Sequence, residues 1–174
     1  MKYLKRFKIY ENENNDSSNN LEELKNEISV FNSKKVNLEK LITTNVGEDK
    51  KDISRNIEQI VGENRFLKKW SFIMKKIARV KEGELKLEYF DDLHKERKNN
   101  LNNVKKLSDP EDRKTQTEKL TNQIKDIEEN VSDLKETIKE LEESIEENKK
   151  QLNEDIKEII ENMKEIDTDI DNSI

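Results

Sequence analysis

The sequence contains no cysteine and few residues that interrupt regular backbone. Of 174 residues, three are glycine and one is proline. The absence of cysteine excludes disulfides, thiolate metal sites and cysteine nucleophiles. Because glycine and proline are the main interrupters of secondary structure, their rarity permits long helices.

Apolar residues are also scarce. Hydrophobic residues make up 30% of the chain and charged residues 43%. A typical globular domain has about 45–50% hydrophobic residues and about 25% charged residues. One compact core is therefore disfavoured, and either disorder or helices with a narrow apolar stripe remain. Since the apolar residues recur at helical spacing, we favour helices. Catalysis needs a concave, desolvated site, so we expect no enzyme and no cofactor.

Long hydrophobic runs are missing as well. No stretch approaches the ~20 apolar residues that span a bilayer. The first ten residues carry lysine and arginine but not the apolar segment of a secretory signal. We therefore expect a cytoplasmic protein that is neither secreted nor transmembrane.

The first 20 residues read as a flexible peptide and linker. An aromatic and basic decapeptide precedes ENENNDSSNN, which is too polar to pack. We expect residues 1–20 to be unstructured in the isolated chain and the decapeptide to bind a protein partner through Tyr3, Leu4, Phe7 and Tyr10. Residues 21–52 follow as a short amphipathic helix, capped by Asn20, and a loop.

Residues 53–107 form the predicted first arm of a hairpin. Between Phe66 and Ile77 the apolar residues share an arc of about 120°, Trp70 among them, with lysine and arginine opposite and Phe72 among these cations. The segment 65–81 is interpreted as a helix packed on other helices, with membrane-surface or nucleic-acid binding as alternatives. Phe66, Trp70 and Phe72 are its candidate protein-binding residues. At Gly83 a short β-hairpin is a second alternative to continuous helix.

Residues 108–174 form the predicted second arm, a long acidic coiled-coil helix. Asp109 can cap a helix that starts at Pro110, which predicts a tight turn between antiparallel helices. From Leu120 to Leu152 the seam positions, all apolar except Asn148, alternate at spacings of four and three, and the register then resets. Beyond it lies an apolar stripe of Ile156, Ile159, Ile160, Met163, Ile166 and Ile170. We expect it to associate with another chain; coverage by helix 21–43 of the same chain is the alternative.

Charge is divided unevenly along the chain. Residues 111–174 carry a net −11 and residues 1–110 a net +5, within a total of −6. This division favours antiparallel folding or ordered docking of chains. It disfavours the acidic half as a nucleic-acid binder.

Two patterns were weighed as metal sites. His94 is the single histidine, and one Asp-x-x-His element does not supply the two that a carboxylate-bridged site in a helix bundle needs. Asp167, Asp169 and Asp171 resemble the start of a calcium loop, but position 6 is Asn172 rather than glycine. We expect no metal at either place.

The opening MKYLKRFKIYEN and the richness in lysine, asparagine, isoleucine and glutamate resemble small structural or assembly proteins of tailed bacteriophages with AT-rich genomes. That resemblance implies a virion component or assembly factor. The residues themselves predict an all-α protein: an elongated antiparallel helical hairpin or coiled coil with an additional N-terminal helix. We expect a structural adaptor that forms homo- or hetero-oligomers; the alternatives are a nucleic-acid or membrane-surface module and a regulator that occupies a partner's groove with one helix.

Overall fold

The computed structural model describes the backbone of residues 2–171 and the side chains of residues 20–165. Four helices follow one another along the chain: α1 (Lys2–Thr44), α2 (Lys50–Val61), α3 (Arg65–Val104) and α4 (Pro110–Asp171). Residues 2–171 contain no strand. The prediction of an all-α fold with a helical hairpin is therefore confirmed.

The breaks between the first three helices are closed by local hydrogen bonds. Asp49 caps α2, since its side chain accepts a hydrogen bond from the Lys51 amide at 2.9 Å. The helix ends at Gly62, whose φ of 51° is costly for residues with a Cβ. Asn64 then caps α3, accepting from the Leu67 amide at 2.9 Å. The arm predicted over 53–107 is thus divided into two helices at Gly62.

The turn between α3 and α4 lies where the sequence predicts it. The Asp109 carboxylate accepts from the amides of Glu111 and Asp112 at 2.8 and 3.2 Å. Pro110 is the first residue of α4, where its missing N–H leaves no intrahelical bond unmade. Arg113 Nε donates to the Leu107 carbonyl at 3.1 Å, which ties the start of α4 to the loop.

The N-terminal boundary differs from the sequence prediction. The structure continues α1 from Lys2 to Thr44, whereas the sequence predicts a flexible segment over 1–20 and a helix capped by Asn20. The polar segment ENENNDSSNN contains neither proline nor glycine. Nothing in it therefore forces a helix to end.

The helices divide into two compact units, one of residues 1–74 and 147–174 and the other of residues 75–146. In the first unit, side chains from all four helices are buried. Leu38 and Leu67 are fully enclosed, with 0% of their surface exposed. The buried side chains of this unit are Leu21, Phe31, Leu38, Ile42, Ile57, Val61, Phe66, Leu67, Trp70, Ser71, Ile73, Met74, Leu152 and Met163.

The second unit is a two-helix antiparallel hairpin with a thinner core. Its buried apolar side chains are Val80, Val104, Ile124, Ile127 and Ile145. Other residues of the predicted seam, such as Leu134 and Leu141, are only half-buried. When only two helices pack together, each buries the centre of the other's apolar stripe, and the edges of both stripes stay exposed to solvent.

Gly83 marks a close approach of the two helices in this second unit. The structure keeps it inside α3, so the alternative of a β-hairpin there is wrong. A Cβ built on Gly83 would lie 2.9 Å from Cγ1 and 3.0 Å from Cδ1 of Ile138. The glycine is therefore needed for contact between helices rather than for a turn.

We predict that Gly83→Ala destabilises the protein by about 1–3 kcal/mol, because the new methyl group overpacks against Ile138. In an Ile138→Ala background the same change is expected to stabilise by about 1 kcal/mol, the ordinary helix preference of alanine over glycine. Urea unfolding of the four proteins, followed by circular dichroism, measures both effects. Stabilisation by Gly83→Ala in the native background would show that the helices are not this close.

Candidate protein-interaction surfaces

Three aromatic rings from α1 and α3 meet in the core of the first unit. The ring centroids of Phe31 and Phe66 are 5.9 Å apart, and those of Phe31 and Trp70 are 6.4 Å apart with the planes nearly perpendicular. Edge-to-face contacts of this kind are favourable beyond the area they bury. Trp70 is 8% exposed. The prediction that Trp70 is buried between helices is confirmed.

Two cationic side chains and one asparagine make further contacts around this aromatic cluster. Lys35 Nζ lies 4.3 Å from the centroid of the Trp70 ring, and the Arg65 guanidinium lies 4.8 Å from that of Phe66. Arg65 also pairs with Glu27 of α1 at 3.0 Å. Asn64 Nδ2 donates to the Glu27 carbonyl at 2.8 Å. The start of α3 is thus attached to one turn of α1 by apolar, ionic and hydrogen-bonded contacts.

This arrangement changes the interpretation of the basic segment 65–81. Phe66 and Trp70 were candidates for contact with a partner or membrane, but both are core residues of the chain. Phe72 keeps 54% of its surface exposed, as the sequence predicts for a residue on the basic face. The basic face therefore offers Phe72 alone among these three aromatic candidates.

Lysines of the basic segment contact the acidic helix, and Lys76 Nζ donates to Ser144 Oγ at 2.6 Å. Lys69 Nζ and the Asp155 carboxylate form a hydrogen-bonded ion pair, and Gln151 Nε2 donates to the same carboxylate at 3.0 Å. The Lys69 hydrogen bond, followed by that from Gln151, holds the pKa of Asp155 below its usual value of 3.8. The acidic helix thus supplies countercharge to the basic segment within the chain.

The apolar stripe near the end of α4 is partly covered by its own chain. Leu152 and Met163 are 2% and 7% exposed. Ile156 and Ile159 are half-buried, and Ile160 keeps 37% of its surface exposed. Met163 therefore belongs to the core of the first unit rather than to a free interface, and association through the exposed part of the stripe stays a prediction.

Some predicted binding residues lie outside the side chains that the structure describes. They are the four aromatic and apolar residues of the N-terminal decapeptide and the last two of the stripe: Tyr3, Leu4, Phe7, Tyr10, Ile166 and Ile170. Binding through these residues stays a prediction.

An exposed apolar pair on the second unit was missed by the sequence reading. Leu85 and Tyr89 keep 59% and 63% of their surface exposed. Four residues apart on α3, they share one side of the helix, and the Tyr89 ring contacts that of Phe90 at 5.8 Å. Their alternation with Leu87 is also typical of a strand. Their position outside the apolar face of α3 is the signal that could have identified them as exposed residues.

A groove lies near the turn of the hairpin, between the end of α3 and the start of α4. Its volume is about 660 Å³. It is lined by Arg97, Asn100, Asn103, Val104, Leu107, Gln116, Lys119, Leu120 and Gln123. None of these side chains is a carboxylate or a histidine, so the lining offers amide and cationic donors rather than a general acid–base pair. We call this the tip groove.

His94 is held by a single carboxylate. Its Nε2 lies 2.9 Å from Oε1 of Glu128 in the facing helix. Within residues 20–165, no three histidine, aspartate or glutamate side chains come together as metal ligands would. The geometry of His94 is that of a hydrogen-bonded pair across the hairpin.

Comparison with protein-family models, with curated proteins and with solved structures finds no match to this chain. Within the described residues, none of the helices has both the length and the apolarity needed to cross a membrane.

We predict that Trp70→Ala lowers the free energy of unfolding by about 3–5 kcal/mol, as expected for truncation of a large core side chain. Tyr89→Ala is the matched control, because this exposed ring should contribute no more than about 0.5 kcal/mol. Urea denaturation followed by circular dichroism measures both variants. Equal, small losses would place Trp70 on the surface.

The lowered pKa of Asp155 predicts a pH dependence of stability. A carboxyl group with a depressed folded pKa stabilises the protein above its unfolded value near 3.8, and this contribution is lost as pH falls through the folded value. Asp155→Asn should therefore lower the midpoint of urea unfolding at neutral pH. It should also reduce the difference between the midpoint measured at neutral pH and the midpoint measured near pH 3. Glu158→Gln, at an exposed position, is the control. An unchanged pH difference in Asp155→Asn would contradict the pairing.

Proposed function

We propose that this chain is a non-catalytic structural protein that acts by binding other protein chains, as an adaptor or assembly component. The observation that carries the proposal is the exposure of Leu85 and Tyr89 side by side on α3. Neighbouring large apolar side chains on one helix face provide contact area for another protein.

The half-covered seam of the second unit supports the same proposal. Ile138 and Leu141 of α4 are only half-buried by the facing helix. A further helix placed against the hairpin would remove more of this apolar surface from water, at about 25 cal/mol per Å². Such a gain is available to a partner protein or to a second copy.

The phage resemblance extends the proposal. A virion component or assembly factor would be non-catalytic, oligomeric and present in the host cytoplasm or the particle. The opening MKYLKRFKIYEN and the composition carry this part of the proposal.

Nucleic-acid or membrane-surface binding through segment 65–81 is the main rival. Lys68, Lys75 and Arg79 are exposed and favour it. The burial of Phe66 and Trp70 counts against membrane insertion, because their rings pack on α1. We therefore rank protein binding first.

The proposal predicts that the native chain, immobilised and exposed to an extract of its source, captures a small set of proteins. The double variant Leu85→Glu/Tyr89→Glu should lose them, because a charged patch cannot be desolvated against an apolar partner. The control Lys86→Glu/Glu88→Lys exchanges neighbouring exposed charges and should retain them. Mass spectrometry of the bound proteins, with circular dichroism of each variant, measures the result.

Capture of the same proteins by the native chain and the double variant would contradict the role of this patch. If nuclease treatment releases all bound material, the rival nucleic-acid function replaces the proposal.

A further inference from the structure

The hairpin tip in the second unit carries a net positive charge, because residues 97–119 hold seven basic residues against four acidic ones. Residues 97–107 at the end of α3 include four cations and no acidic residue: Arg97, Lys98, Lys105 and Lys106. Across the tip groove, Lys119 of α4 is exposed and lines the same space. Cations gathered at one end of a hairpin attract an anionic surface. We call residues 97–107 with Lys119 the basic tip.

Arg97 lines the tip groove, and its Nη1 pairs with Glu96 at 2.9 Å. Arginine is well suited to bind a carboxylate, since several of its N–H groups point the same way. The tip groove therefore favours a ligand that bears carboxylates.

The same unit carries an acidic surface farther along α4. Residues 133–146 hold six acidic residues against two lysines. Glu136, Glu140, Glu142 and Glu143 are all exposed. We call residues 133–146 the acidic flank.

The basic tip cannot reach the acidic flank of its own chain. Lys119 and Glu140 lie on one continuous helix, and 21 residues at 1.5 Å each separate them by roughly 30 Å. Contact between the two surfaces therefore requires a second copy. Two hairpins laid antiparallel, with a two-fold axis near residue 130, bring each tip onto the flank of the other at once. Such an interface is closed, because each surface is used once in each copy.

We infer that the basic tip of one chain binds the acidic flank of a second copy, giving an antiparallel dimer in which Arg97 and Lys119 meet glutamates of the other α4. This inference deepens the proposed protein-binding function and rests on it. Its test uses purified chain alone, so that a monomer would overturn the dimer while leaving binding to a foreign partner intact.

Sedimentation equilibrium of the full chain at low salt should show a dimer. Salt near 0.5 M should weaken it, since the Debye length falls below about 5 Å. Lys119→Glu and Glu140→Lys should each raise the dimer dissociation constant at least about tenfold, and the double variant should recover most of the affinity because the charges are exchanged in trans. Lys98→Glu, an exposed change beside the groove, should have the smaller effect.

Cross-linking tests the antiparallel arrangement directly. Because the chain has no native cysteine, only the introduced cysteines can react. A short bis-maleimide should join Lys119→Cys chains to Glu140→Cys chains in a mixture, but should not join either variant to itself. A chain that stays monomeric at low salt, or a dimer that neither charge reversal weakens, overturns the inference. Salt-sensitive DNA binding by a monomer, lost in Lys119→Glu, would assign the basic tip to nucleic acid instead.

Discussion

The scarcity of apolar residues is the constraint on which the rest of this structure depends. With 30% hydrophobic residues, each helix can bury only a narrow stripe. Where segments of all four helices contribute, as in the first unit, Leu38 and Leu67 become fully enclosed. Where two helices pack alone, the seam is half-covered. How much core forms is therefore set by how many stripes face one another.

Charged residues occupy most of the helix surface that the small core does not bury. Glu27 with Arg65 and Lys69 with Asp155 connect helices of the first unit, each pair at its surface. Exposed pairs of this kind stabilise weakly, so their value is mainly in selecting which helix faces pack together. In the second unit Arg97 pairs with Glu96 and Lys139 with Glu143, each within its own helix.

The proposed functions follow from these two properties. Exposed apolar side chains such as Leu85 and Tyr89 provide contact area for a partner protein. The separated charges determine how that partner is oriented against the chain. The basic segment 65–81 contributes most of its aromatic surface to the chain's own core, which reduces what it can offer a membrane.

The sequence by itself determined the helices beyond residue 20, because their signals are local. Apolar spacing, the Asp109–Pro110 cap and the rarity of glycine each act within a few residues along the chain. Only the tertiary structure decided that Gly83 is a close approach and that Phe31 completes the aromatic cluster. It also decided that Met163 is covered by its own chain. These outcomes depend on which face of one helix meets which face of another, and spacing within a single helix carries no information about its partner.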